Sequence, residues 1–439
     1  MEQVDTLLHA RWIIPVEPDN AVHEYHSLAV KDGRIHALLP AREARGRYRA
    51  DVELDLAEHA LIPGLINAHT HAAMSLFRGL ADDLPLMEWL NDHIWPAEGT
   101  WVNPEFVRDG TQLAMAEMLK GGITCFSDMY FFPDETAQAA ADAGMRAVAG
   151  MILIDFPTAW AGDAKEYLRK GLDLHDRFRN HPLIATAFAP HAPYTVSNEP
   201  LERVRVLAEE LDVPIHMHVH ETAAEIQQGM EHHGNRPLQR LEQLGLATPH
   251  LVGVHMTQLN DEEIAAYARC GAHVVHCPES NLKLASGFCP VQKLLQAGIN
   301  VAIGTDGAAS NNDLDMFSEM RSAALLAKAV AQDASALPAA QALRMATMNG
   351  ARALGLDEET GSLSPGKAAD ITAVNLGGIE AQPLYHAVSQ LVYAGGRHQV
   401  SDVWVAGQHL VKEGVLTTLD EHDILGKAQA WQQKIRKFD

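Results

Sequence analysis

From residue 61 to residue 362 the sequence alternates short apolar runs with longer segments of helical spacing, and it does so eight times. The runs are "LIPGLINAHTH", "GITCFSDM", "RAVAGMIL", "LIATAFAPHA", "PIHMHVHE", "LVGVHMT", "HVVHCPES" and "VAIGTDG". Between them lie stretches such as "PEFVRDGTQLAMAEMLKG" and "EPLERVRVLAEELD". Runs rich in Val, Ile, Leu and Ala, without polar alternation, read as strands buried on both faces. Strands of that kind, each followed by a helix, form parallel sheets. Eight such units predict a (β/α)8 barrel of the TIM type over residues 61–362. Polar residues gather where almost every apolar run stops, which is the rim that carries the chemistry of such barrels.

The two ends of the chain read differently. Residues 1–60 are short β-rich bursts, with "SLAVK-DG-RIHALL" predicting a hairpin that turns at Asp32-Gly33. A similar pattern, "DVWVAGQHLVKEG", turns at Ala406-Gly407. Residues 1–60 and 363–418 are therefore expected to form one composite β-sandwich split by the barrel. The closing segment "DILGKAQAWQQKIRKF" predicts a helix within 419–439.

Charge narrows the partners. With 57 acidic against 34 basic side chains, a formal net charge of −23 repels nucleic-acid polymers and anionic membrane surfaces. A neutral or cationic small molecule is the expected ligand, and a homo-oligomer is compatible with the composition. Cys125, Cys270, Cys277 and Cys289 form no C-x-x-C pair and too few cysteines for a disulfide framework, so reduced thiols are expected. The opening "MEQVDTLLHARWIIP" does not read as a signal peptide, and no apolar run reaches the roughly 18 residues of a membrane span. These features predict a cytoplasmic protein.

The chemistry lies at the strand ends. Side chains at i and i+2 of a strand share a face, so His69 and His71 project to the same side at the top of the first strand. Taken alone, an H-x-H pair is more often two hydrogen-bonded histidines. The fifth strand adds His216, His218 and His220 at period two, followed by Glu221. One of the three suffices as a ligand, leaving two for packing or support. His255 on the sixth strand and Asp306 in "GTDG" after the eighth complete the set. Nitrogen and oxygen donors brought to one rim suit zinc, with positions left open for water and substrate.

With "NAHTH", "HVHE", "VHMT" and "GTDG" in this order, the sequence resembles the amidohydrolase superfamily over nearly its whole length, including the split β-domain. The resemblance implies one Zn2+ per chain, with Fe2+ or Mn2+ as alternatives, held by His69, His71, His218 and Asp306. A second metal in such proteins uses a lysine or glutamate at the end of the third or fourth strand, and neither strand has one here. Within the superfamily the chain is most similar to the 5′-methylthioadenosine/S-adenosylhomocysteine deaminase family, through "SLFRGLADDLPLMEWLNDHIWPAE" and "FAPHAPYTVS". That resemblance implies hydrolytic deamination of the adenine ring to the inosyl product and ammonia. Zinc lowers the pKa of bound water to about 7 and so supplies hydroxide. Asp306 would take the water's proton, Glu221 would pass one to the ring, and His255 would stabilise the oxygen of the tetrahedral intermediate. Glu98 would bind the ribose hydroxyls, with His191 on the sugar side; Trp89 and Trp95 read as wall residues or equally as core.

The alternatives within the same group are adenosine, guanine, cytosine, a pterin or a chlorinated s-triazine as substrate. Lys165, Arg169 and Lys170 are the basic residues after the third strand available to an amino-acid tail, and none aligns with an arginine of the family pattern. With so acidic a protein, the uncharged methylthioadenosine is the expected better substrate of the two. A non-catalytic scaffold on the same barrel would be expected to lack ligand types that are all present here.

Overall fold

The computed structural model describes residues 1–436 and divides their strands between two eight-stranded sheets. Four strands precede the barrel: β1 (Glu2–Ile13), β2 (His23–Lys31), β3 (Arg34–Pro40) and β4 (Tyr48–Pro63). The barrel is built from β5 (Leu65–Thr70), β6 (Ile123–Asp128), β7 (Arg146–Leu153), β8 (Ile184–Pro190), β9 (Ile215–Val219), β10 (Leu251–His255), β11 (His273–His276) and β12 (Asn300–Ile303). After it come β13 (Ile371–Asn375), β14 (Val400–Val405), β15 (Gln408–Lys412) and β16 (Val415–Leu416).

The barrel strands pair in parallel in chain order. Every residue of β5, β6, β7, β9 and β10 is buried, as strands covered on both faces require. Closure between β12 and β5 uses side chains as well as backbone. The Asp306 N–H donates to the His69 carbonyl (3.0 Å), and Asn67 exchanges two hydrogen bonds with Thr305, at 2.7 and 2.9 Å. Gly304 permits this approach, since a Cβ there would lie 2.7 Å from the His69 backbone nitrogen.

The chain-end strands form one mixed sheet in the order β16-β15-β14-β13-β4-β1-β2-β3, mostly antiparallel, with β1 and β4 parallel. Both expected hairpins are present. Asp32 and Gly33 have φ of 52° and 74°, and Ala406 and Gly407 have 46° and 77°, the left-handed values that a two-residue turn of right-handed twist requires. Strands at opposite ends of the sheet meet, because a Cβ on Gly33 would lie 2.7 Å from the Ala406 carbonyl oxygen. The sheet therefore curls on itself, and Leu28 of β2 and Trp404 of β14 share one core cluster. The boundary expected at residue 60 falls inside β4, whose last residues Leu61–Pro63 pair with β13 rather than with the barrel. A buried ion pair joins the two sheets: Arg146 of β7 donates to Asp370 just before β13, Nε to Oδ2 at 2.8 Å.

The chain between β5 and β6 begins with a long excursion over the rim. It contains a π-type turn at Trp89–Ile94 and a helix at Trp95–Trp101, and then enters the helix Pro104–Lys120, capped by the Asn103 side chain on the Phe106 N–H. The terminal helix runs over Glu421–Ile435; the last three residues of the expected 419–439 segment lie outside the described residues. Its Trp431 donates to Asp109 (2.9 Å) and packs edge-on against Phe106, which in turn touches Phe77. Among the described residues no helix is long and apolar enough to cross a membrane.

Candidate active site

Four nitrogen and oxygen donors converge at the carboxyl ends of β5, β9 and β12. His69 Nε2 lies 3.1 Å from His218 Nε2 and 3.4 Å from Asp306 Oδ1, and His71 Nε2 lies 3.2 Å from the same oxygen. Ligands held 2.0–2.1 Å from a tetrahedral zinc lie about 3.3–3.4 Å apart, so these spacings fit a single cation. The far side of each ring is tied so that Nε2 turns inward with its lone pair. His71 Nδ1 donates to the Met129 carbonyl at 2.5 Å and His218 Nδ1 to the His191 carbonyl at 2.9 Å. His69 Nδ1 is bonded to His216 Nε2 at 2.8 Å. Supports of this kind fix the tautomer of metal-binding imidazoles.

Asp306 is fixed with equal care. Oδ2 accepts from the Ser280 and Ser310 hydroxyls, at 2.6 and 2.8 Å, while Oδ1 accepts the Gly307 N–H and faces the histidines. Burial opposes ionisation of this carboxyl, but the hydrogen bonds of His69 and His71 and the charge of His71 outweigh it and hold its pKa well below the carboxylate range. The two histidines share this carboxylate unequally. Burial drives His69 down to about 4; His71, nearer to Asp306, is pushed up to about 9 because the hydrogen bond and charge of Asp306 overcome its burial.

The three histidines of the fifth strand separate as their spacing allows. His218 faces the centre, and His216 stacks behind His69 at 5.0 Å between ring centroids. His220 points away from the cluster, where its Nε2 accepts the Leu238 N–H. His255, at the end of β10, presents Nε2 toward Glu221 Oε2 at 3.9 Å, and its Nδ1 is held by Asn281 Oδ1 at 2.8 Å. Burial raises the pKa of Glu221 above the usual carboxylate value.

His71, His218, His255, Asp306 and Glu221 open into one cavity of about 1150 Å³, counting its mouth, together with Glu98, His191 and Trp89. His69 lies beneath the cavity floor, fully buried. Glu98 enters from the rim helix Trp95–Trp101 and keeps some surface toward the cavity; its apolar surroundings push its pKa up to about 7 against the opposing influence of the Tyr130 hydroxyl and His71. Burial, with the nearby imidazoles, drives His191 down to about 3. Trp89 is a wall residue whose indole N–H is already spent on the Ala81 carbonyl, and Trp95 packs edge-on against Phe156. Much of the remaining wall is apolar, with Leu86, Leu90, Ile94, Ile152, Ile154 and Leu284. Among the described residues, no lysine or arginine lines the cavity. Lys165, Arg169 and Lys170 lie on the helix Ala164–Phe178, where Arg169 pairs with Asp173 and Lys170 with Glu166.

Sequence reasoning passed over Ser280, Asn281 and Ser310. The signal available for two of them was "HCPESN", a polar cluster ending the seventh apolar run as the other clusters end theirs.

A model of the amidohydrolase family matches residues 60–410. A 5-methylthioadenosine/S-adenosylhomocysteine deaminase of Saccharophagus degradans is 54% identical over 432 residues, covering 98% of this chain and 97% of that one. A protein of the same name from Teredinibacter turnerae is 52% identical over 432 residues, covering 98% of each. Among solved structures, an adenosine deaminase of Xanthomonas campestris with bound zinc has a TM-score of 0.98 at 54% identity over 99% of both chains. Because the family match runs from β4 through the whole barrel and into β15, the chain belongs to the amidohydrolase family.

Proposed function

We propose that the chain hydrolytically deaminates the adenine ring of 5′-substituted adenosines, with 5′-methylthioadenosine preferred to S-adenosylhomocysteine, using one zinc ion held by His69, His71, His218 and Asp306. The observation that carries this reading is a single cavity in which the donor cluster, Glu221 and Glu98 face an otherwise largely apolar wall without a cationic side chain. The deaminase names of the close relatives point the same way.

When bound, zinc supplies a Lewis acid that lowers the pKa of water to about 7. Asp306 accepts the proton released by the attacking water. Glu221, whose pKa burial raises, delivers a proton to the ring nitrogen beside the carbon under attack; the proton taken up by Asp306 leaves with the ammonia, and the hydroxyl proton of the collapsing tetrahedral adduct restores Glu221. His255 donates to the oxygen that gains charge. Glu98 accepts hydrogen bonds from both ribose hydroxyls. A carboxyl pushed up to about 7 is short of donors, and a cis-diol provides two. His191 borders the sugar. An uncharged methylthio group suits the apolar wall, whereas the charged tail of S-adenosylhomocysteine would find no cationic partner there.

Adenosine is the second reading, favoured by the adenosine deaminase name of the Xanthomonas campestris structure. All four cysteines are free, which supports a reducing, cytoplasmic setting. The test is ammonia release from 5′-methylthioadenosine, S-adenosylhomocysteine, adenosine, free purines and a triazine, with metal analysis of the same sample. The expected order of kcat/KM is methylthioadenosine first, with free bases far below. Equal rates on free adenine and its nucleosides would overturn the assignment of Glu98, and release of chloride from the triazine without ammonia from any purine would overturn deamination.

A further inference from the structure

Glu221 stands two residues beyond the end of β9, where the strand ladder no longer fixes its direction. His220, just before it, has a left-handed φ of 55°, a conformation disfavoured for a side chain of its kind. The peptide groups of this corner are nonetheless held from both sides. Glu225, only 5% exposed in the first turn of the helix Ala223–His233, accepts the His220 N–H at Oε1 (3.0 Å) and the Glu221 N–H at Oε2 (2.7 Å). From the opposite side the Thr257 hydroxyl donates to the Glu221 carbonyl (2.6 Å), and the Thr257 N–H donates to the His220 carbonyl (3.0 Å).

We propose that Glu225 is a positioning residue for the deamination, setting the direction in which Glu221 presents its carboxyl to the substrate ring. This rests on the proton-delivery role proposed for Glu221. Two consecutive N–H groups at a left-handed corner form a concave pair of donors, and a carboxylate is the side chain with two equivalent acceptors to fill it. A glutamine would turn an NH2 toward one of those N–H groups, donor against donor. An aspartate, one methylene shorter, would not reach both. Glu225 is the third residue of a helix that Thr222 caps, so its carboxyl turns back toward the N–H groups just before the cap.

The test is steady-state kinetics on 5′-methylthioadenosine with metal content measured alongside. Glu225→Gln is expected to lower kcat about 10- to 100-fold, the loss that a displacement near 1 Å produces, with KM within about threefold and metal retained. In a Glu221→Gln background the same substitution should cost nothing further, because the group being aimed no longer carries a proton. Should Glu225→Gln fail to fold, Glu225→Asp carries the same expectation. Wild-type kcat in a folded Glu225 variant would overturn the proposal, and so would an undiminished further loss in the Glu221→Gln background. Wild-type kcat in Glu221→Gln alone would instead strike Glu221 from the reaction, and the proposal with it.

Discussion

Each imidazole Nε2 at the rim is aimed by what its Nδ1 touches, and this makes the site sensitive to single atoms. On the proposed ligand assignment, His218→Ala or Asp306→Ala loses zinc and turnover together; metal analysis of the purified variants checks this, and full occupancy with normal turnover would contradict it. Glu221→Gln should keep its zinc and lose roughly 10²–10⁴-fold in kcat, measured by ammonia release, since an amide cannot relay a proton. The histidines and Asp306 were legible in the sequence because each ends an apolar run. Their supports were not. Ser280 reaches Asp306 from 26 residues away, and the left-handed backbone at His220, His255 and Asp306 is not marked by a glycine at any of the three positions. Spacing along a strand says which face a side chain takes, but not how a corner after the strand redirects it.

The excursion between β5 and the helix Pro104–Lys120 was the least readable element, because its short turns, π-type turn and seven-residue helix carry no sustained period. It still supplies Trp89, Trp95 and Glu98 to the cavity. What steadies it comes from the far end of the chain: Trp431 belongs to the same apolar cluster as Phe77, Trp89, Leu90 and Phe106. Trp431→Ala would empty that position and leave the buried Asp109 without its indole donor. A loss of about 3–5 kcal/mol is expected in thermal denaturation. KM for the nucleoside should rise more than kcat falls, because a wall is loosened while the donors stay in place; unchanged KM and melting point would show that the terminal helix does not brace this wall.

Across the whole molecule, buried ionisable groups set how stability follows pH. Burial raises Glu98 to about 7, and in the metal-free protein Asp306 holds His71 at about 9 despite burial. In the unfolded chain the carboxyl has lost its proton by about pH 5 and the histidine by about pH 7. The folded form therefore holds more protons than the unfolded form, and the stability due to these groups is lost as pH rises through about 7 and 9. Histidines lowered chiefly by burial, such as His191 and His276 at about 3, act in the opposite sense, but their contribution is complete near pH 7. The melting temperature of the chelator-stripped protein should fall between pH 7 and 9, and a rise would refute this account. The two-part architecture was legible from the change of period between the chain ends and the middle. The curl of the end sheet was not, because nothing local records that Gly33 and Ala406 touch. Nor does anything local record that Leu61 of β4 waits for Ala373 of β13. With about 310 residues between them and translation at roughly 5–20 residues per second, a growing chain carries one bare strand edge for about 15–60 s. The ribosome thus extrudes this protein with its first sheet unfinished, and for that interval its fate depends on which arrives first, its own later strand or a stranger's.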